Sequence, residues 1–561
     1  MTEAKAMHKF LALLRIQLLA RYANLKPSNL KNLTDKKEKK KALGTIIAYV
    51  VLIAMFAGMI IPFEIFILDL MGQLGMEKML PAMAVTLSMV CTLIMSFFFI
   101  MTSLYFGKDA AYLAALPIKS GTVLSAKLTQ VWLSETLIST LFILPASILY
   151  GTRVGADVLF YVRMVLVWLT VSILPICIVT FLSALLIRLS SLWKHRETMM
   201  TVGGILLMAA YFIFVFSMNT SSMDAMEDAE MMMQMLSSNK GMLEQATQLF
   251  PPAVWLTEGL LGDWGQMALG LVINGAAAAF TLIVMARPYR RLSLLQTQVP
   301  ENKKEFKGDK HFRPSTPFMA CFMREFRQLA RVSTYALNSF PTAFMPVLFV
   351  GMIGYTLMNE GGTGELEAVF ALMGLPDGMI VLIMTGLVCF TAGINPAVAT
   401  AVSREGRNGH AMLTSMPVNP KVYAMAKLAV GMVLNITGVT IACIVSCVLL
   451  PGMAAEMAAV LVIACLYCFI TNALSLTFDI RSPRLDWMTE TEAIKQGNGT
   501  LKGMLVALGV LLAVVAAGAG LFMLKVSLPV YMLVMAAVLG IISWLCHKLL
   551  VNTAEKYYWQ G

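Results

Sequence analysis

Twelve apolar stretches, each close to the length of a bilayer crossing, dominate this chain. They run at about 43–67, 81–104, 131–150, 157–187, 199–218, 265–286, 336–358, 379–400, 425–450, 454–476, 503–524 and 529–550. A helix needs roughly 20 apolar residues to cross the hydrocarbon core. Charged residues fall mainly between the stretches. Of the 561 residues, 58% are hydrophobic and only 13% charged, against roughly 25% charged in soluble domains. Mean hydropathy is +0.75. A soluble chain of this composition would leave apolar surface in water, so lipid is the expected solvent. Barrel strands would be short and alternating. The expected fold is therefore an all-α polytopic membrane protein with about 12 transmembrane helices.

Basic residues predict the orientation. Lys26, Lys31, Lys36, Lys37, Lys39, Lys40 and Lys41 precede the first stretch. Arg287, Arg290, Arg291, Lys303, Lys304, Lys307, Lys310 and Arg313 lie between the sixth and the seventh. Loops rich in Lys and Arg stay on the cytoplasmic side. Alternation then puts 219–262, with Asp224, Glu227, Asp228, Glu230 and Glu244, outside. Both termini fall in the cytoplasm of a cell whose plasma membrane the chain spans. The net charge of +11 is read as topology and contact with anionic lipid, with no nucleic-acid partner. The first 42 residues are charged and too long for a cleavable leader. Within them, 7–23 (MHKFLALLRIQLLARYA) reads as a basic amphipathic helix on the inner membrane surface.

The chain also repeats itself. Residues 109–128 read DAAYLAALPIKSGTVLSAKL and 409–428 read GHAMLTSMPVNPKVYAMAKL. Ala111, Leu113, Pro117, Ala126, Lys127 and Leu128 recur without gaps as Ala411, Leu413, Pro417, Ala426, Lys427 and Leu428. Leu116 is matched by Met416. Each copy follows the second span of its half. Residues 318–331 (FMACFMREFRQLAR) precede the seventh span as 7–23 precede the first. The expected organisation is a first half at 1–290, a basic linker at 291–312 and a second half at 313–561. The halves are two parallel six-helix repeats, each preceded by an interfacial amphipathic helix.

The repeated segment predicts a short helix ending at a proline, followed by a helix that enters the membrane. Asp109 can cap the first helix of copy one. In copy two Asn419 is an N-cap with Pro420 at the first position. Leu113 and Leu116, or Leu413 and Met416, share a face at i,i+3 spacing. Such a stub can plug into a groove on a cytoplasmic partner; a proline-capped loop on the headgroups is the plainer alternative.

Polar residues inside spans mark either pathways or helix contacts. Glu135 lies near the inner end of its span, with Glu64 and Arg163 near outer ends. Snorkelling explains these as well as a substrate path does. Asn274, Asn395, Asn435 and Asn472 are read as hydrogen-bonding glue. Asn395-Pro396 is expected to break span eight. Cys465 and Cys468 form a CxxC within an apolar helix and are read as packing. No metal site or catalytic constellation stands out, and the five histidines form no HExxH.

Three stretches carry a family resemblance. FGKDAAYLAALPIKSGTVLSAK at 106–127 is one, and INPAVATAVSREGRNGHAMLTSMPVNPKVYAMAK at 394–427 the second. The third is DIRSPRLDWMTETEAIKQGNG at 479–499. LFPPAVWLTEGL at 249–260 fits an external re-entrant region. Together they resemble the twelve-span, duplicated bacterial permeases of the type 2 ATP-binding cassette exporters. Gly409 stands where that pattern has an acidic residue, and Lys119-Ser120 where it has Asn-Pro. The resemblance implies outward transport by alternating access. It implies coupling to an ABC ATPase subunit, in two copies, through Asp109–Pro117 and Glu405–Pro417. Asp109, Leu113, Leu116, Pro117, Lys127, Arg404, Glu405, Leu413, Met416, Pro417 and Lys427 are the implied coupling residues. No G-x-x-x-x-G-K-[ST] run occurs. The chain is therefore expected not to be an enzyme and to bind no cofactor, with ATP and Mg on the partner. Two other classes stay open. A twelve-span secondary carrier shares the 6+6 duplication, although GKDAAYLAALP lacks the arginines of that family's G-x-x-x-D-R-x-G-R-R loop. A non-transporting membrane sensor or enzyme is the other.

Overall fold

The computed structural model describes residues 2–22, 36–73, 76–105, 112–113, 115–190, 202–204, 206, 252–297, 315–359, 379–393, 395–487, 490–495 and 498–557. Among them there are helices and turns and no strand. The chain divides into two compact units, Met1–Pro300 and Glu301–Gly561.

The first unit contains α1 (Thr2–Tyr22), α2 (Lys36–Gln73) and α3 (Met79–Ile100), the last extended by a π turn at Met101–Tyr105. Then follow α4 (Ser120–Val154), α5 (Val158–Thr170), α6 (Ile173–Ser190), α7 (Ala253–Leu261) and α8 (Trp264–Thr297). The second unit contains α9 (Pro317–Arg331), α10 (Ser333–Ser339), α11 (Pro341–Asn359), α12 (Met379–Ala392) and α13 (Pro396–Ala399). After a 3-10 turn at Ser403–Glu405 come α14 (Gly406–Thr414), α15 (Pro420–Leu449), α16 (Ala454–Arg481), α17 (Glu490–Lys495), α18 (Asn498–Met523) and α19 (Leu528–Tyr557).

The protein is an all-α polytopic membrane protein. Among the described residues, ten helices are long and apolar enough to cross a bilayer. Twelve are expected from the sequence. The stretch at 199–218 lies almost wholly outside the described residues. The stretch at 379–400 is a helix of 14 residues that stops at Ala392. The exposure pattern is that of a lipid-solvated bundle. Val272, Ile283 and Leu533 are 67%, 75% and 71% exposed, whereas Asn274, Thr281 and Ser543 on the same helices are buried. In water such an apolar exterior would be costly.

Two helix breaks show how polar residues position the spans. Pro175 can neither donate an N–H nor tolerate the carbonyl four residues back, so α5 and α6 separate at Val171-Ser172. The freed Leu174 N–H donates to Asn274 Oδ1 at 3.0 Å. Ser172 Oγ lies 3.2 Å from Ser139 Oγ and 3.5 Å from Thr92 Oγ1. In the second unit the expected break at Asn395-Pro396 is present. Asn395 caps α13 by accepting from Ala397 N at 2.9 Å. Its amide donates to Asn435 Oδ1 at 2.8 Å, and Asn435 donates to the Ala392 carbonyl at 2.9 Å. The carbonyl freed at the end of α12 is thus satisfied from α15, as a buried backbone acceptor requires. Asn472 faces Met432 Sδ at 3.7 Å. Asn274, Asn395 and Asn435 thus hydrogen-bond across helix breaks.

Candidate functional site: the buried charge cluster beneath the α14 elbow

Each unit turns from its second span into its third through the same elbow. Ile118 N donates to Leu116 O and Val418 N donates to Met416 O, both at 2.8 Å, so Pro117 and Pro417 sit in matching tight turns. The helix after each elbow starts at equivalent places, Ser120 and Pro420. Asn419 caps α15 as expected, accepting from Lys421 N at 2.9 Å, with Pro420 in the first turn. The two repeated lysines are both buried and both bind the backbone just before the elbow. Lys127 Nζ donates to Ser103 O at 2.6 Å and Lys427 Nζ to Ala401 O at 2.7 Å. The internal repeat is therefore structural as well as sequential.

In the second unit Lys427 sits at the centre of a buried charge cluster. It lies 2.7 Å from Glu325 Oε1 and 2.6 Å from Glu405 Oε1. Arg404 Nη2 is 3.6 Å from Glu325 Oε2 and donates to Ala397 O at 2.7 Å. Arg324 reaches Glu325 at 3.1 Å and Glu405 at 3.6 Å. Tyr423 OH donates to Glu405 Oε1 at 2.8 Å, and His410 Nδ1 lies 3.3 Å from Oε2. The side chains of Lys427, Glu405, Glu325 and Arg404 are all almost wholly buried. Three elements meet here: the amphipathic helix α9, the 3-10 turn before α14, and the span α15. Buried charges persist only when paired in this way.

A second set of contacts fixes the turn from behind. Asp479, at the end of α16, accepts from Val402 N at 2.7 Å, from Ser403 N at 3.1 Å and from the Ser403 hydroxyl. Trp487 Nε1 donates to Ser403 O at 2.8 Å, and Arg484 N donates to Ser403 Oγ at 2.9 Å. Gly406 has φ +65, and a Cβ there would meet the Trp487 ring at 3.5 Å. The glycine after Ser403-Arg404-Glu405 is thus needed for its left-handed backbone. The structure joins the second and third motif stretches at one turn, through residues 76 to 84 positions apart in sequence.

Burial pushes the Glu405 carboxyl up. The Lys427 charge and the hydrogen bonds from His410, Lys427 and Tyr423 outweigh that and hold it down at about 2, from an ordinary 4.5. A depressed carboxyl contributes stability that is complete above pH 4.5 and lost as pH falls towards 2. Trp487 fluorescence during acid titration is therefore expected to report loosening of the turn below about pH 4.5. In Glu405→Gln that acid-dependent component should be missing.

The expected coupling residues divide by exposure. Arg404, Glu405 and Lys427 are buried and present no surface to a partner. Leu413 is also buried, with His410 one turn earlier, which differs from the expected shared face with Met416. The exposed edge is instead Met412 and Met416, at 51% and 40%, with Pro417 beside them. The reason is that α14 ends at Thr414, so Met416 leaves the helix before completing i,i+3 register with Leu413. In the first unit Asp109 lies outside the described residues. Leu113 and Leu116 are half-buried, and Leu113 packs on the core of the unit. Pro117 is exposed and its carbonyl accepts from Lys9 of α1 at 2.9 Å. Tyr112, 300 residues before Met412, is 68% exposed.

Three further sequence candidates lie away from the elbows. Glu135 is buried on α4. Arg163 is held by Asp157 at 3.7 Å and lies over the Trp264 ring at 5.5 Å. Glu64 is buried on α2. Sequence reasoning missed Glu325, Asp479, Tyr423 and Ser403. The signal for Glu325 was an acid placed between Phe322 and Phe326 on the apolar face of an otherwise basic helix.

The membrane-spanning helices and a family match together fit a membrane protein of transporter type. The chain belongs to the family described as "Putative ATP-binding cassette", whose model matches residues 40–544. No curated protein and no solved structure matched. The family match corrects two expectations. From the missing phosphate-loop run the sequence alone predicts no enzyme activity, and ATP and Mg only on a partner. A match to an ATP-binding cassette family over most of the chain points instead to ATP binding and hydrolysis in this chain. The physical reason is that one linear motif is a narrow test. Phosphates are also held by helix N-termini and their backbone N–H groups without it.

Proposed function

We propose that this chain is the membrane-spanning permease of an ATP-binding cassette exporter, moving its substrate outward by alternating access. It resides in the plasma membrane with both termini cytoplasmic. Beside the ATP binding and hydrolysis to which the family match points in this chain, an ABC ATPase subunit docks at each repeated elbow, so two copies serve one chain. The observation that carries this reading is the exposed Met412–Met416–Pro417 edge, set on a turn locked to α9, α15 and α16 by buried charge. A partner that moves this edge moves the spans with it, because the cluster leaves the turn no independent freedom. Family membership supports the coarser part of this reading, a membrane protein related to the ATP-binding cassette systems.

Docking of two methionines into an apolar groove contributes about 1.5–3 kcal/mol each. Each 1.4 kcal/mol is tenfold in affinity. Met412→Asp/Met416→Asp is therefore expected to weaken docking at the second elbow by about a hundredfold or more, so that the ATPase recovered with the chain in mild detergent falls from two copies to the one held at the first elbow. Both positions are exposed, so the variant should keep its thermal stability. Undiminished recovery of the subunit would exclude this edge as the docking surface.

A further inference from the structure

A cavity of about 180 Å³ lies within the first unit between α4, α6 and α8. Leu128, Trp132, Ile173, Ile176, Ala278 and Leu282 form most of its wall. Ser125, Thr129, Cys177 and Thr281 also reach it, and the Ser125 and Thr281 hydroxyls are already engaged. Ser125 donates to Thr122 O at 3.0 Å and Thr281 to Ala277 O at 2.7 Å. The Trp132 indole N–H donates to Leu169 O at 2.9 Å. No charged side chain lines the space. A polar ligand would give up its water and gain little in return.

An apolar cavity of comparable size, about 150 Å³, stays dry and admits benzene. All three walls here belong to helices long enough to cross a bilayer, so the surrounding medium is hydrocarbon. A segment of several methylenes fits both the volume and the chemistry. We propose that the cavity holds one acyl chain of a resident membrane phospholipid. Its wall includes Ser125 and Leu128, which flank Lys127, and Lys127 itself binds Ser103 O on the segment leading to the elbow. The lipid chain therefore presses on the turn of α4 that anchors the first elbow. The site does not depend on the transport reading.

The test uses the full chain in phosphatidylcholine–phosphatidylglycerol vesicles doped with a phospholipid carrying a diazirine midway along one acyl chain. After irradiation, adducts are mapped by mass spectrometry. The expected result is at least about fivefold more adduct on 125–132 and 278–282 than on the outward-facing Leu533, Val538 and Ile541 within the Leu533–Ile541 stretch of α19. Ala278→Phe, which fills the cavity, should remove that excess and leave labelling of Leu533–Ile541 unchanged. Leu128→Phe fills it from the opposite wall and serves if the first variant does not fold. Equal labelling of the cavity and α19 in the wild type would overturn the proposal. So would an excess that survives in a folded cavity-filling variant.

Discussion

Replacing Lys427 with methionine is expected to destabilise the second unit by about 3–5 kcal/mol. The lysine is almost fully buried and is shared between Glu325 and Glu405 at 2.7 and 2.6 Å. Without it, two buried carboxylates are left with Arg404, Arg324, Tyr423 and His410 as their remaining partners. Breaking a buried pair by removing one partner costs far more than the pair itself contributes, because an uncompensated charge is left behind. The unfolding temperature, followed by reaction of buried Cys443 and Cys468 with a thiol dye, should fall by about 6 °C or more. Adding Glu325→Gln to Lys427→Met should recover part of the loss, since the two residues couple directly. A fall of Lys427→Met within experimental error would show that the cluster does not hold the elbow.

The second large effect is expected at Asp479. Its carboxylate accepts both Val402 N and Ser403 N, together with the Ser403 hydroxyl. Asp479→Ala strands two buried backbone donors, at about 1–3 kcal/mol each. Asp479→Asn keeps one acceptor oxygen and should cost roughly half as much. The alanine variant should also release Trp487 from Ser403 O, seen as a shift of its fluorescence towards that of solvated indole. Two conservative features make this a test of position rather than of packing alone. Asp479 is small, and its only described partners are the turn residues and the electrostatic field of Lys427.

The membrane architecture was legible because lipid demands long apolar runs, and the chain spells them out. The breaks were less so. Asn395-Pro396 announced itself through an asparagine cap and a proline, and the structure places a helix start there. The break at Val171-Ser172 gave less warning, since Pro175 lies inside an unbroken apolar run of 157–187. The elbow was legible as a repeat, down to the pair Lys127 and Lys427. What lay beyond the sequence was the partner of each charge. Glu325 is 102 positions from Lys427, and Asp479 is 76 from Ser403. Spacing rules link residues three or four apart on one helix; they are silent on side chains that meet only when three elements pack. The exposed edge was misplaced for a local reason: i,i+3 reasoning assumes the helix continues to Met416, but it ends at Thr414.

The central claim is that the edge at Met412, Met416 and Pro417 is where an ABC ATPase subunit docks. A photo-crosslinking amino acid at Met416, irradiated in native membranes, addresses it directly. Val433, an exposed position within the span α15, provides the lipid-facing control. The account predicts an adduct between position 416 and an ABC ATPase subunit, identified by mass spectrometry, and none from position 433. A subunit adduct at 433 equal to that at 416, or no subunit adduct at 416 in membranes where the labelled chain is folded, would contradict it.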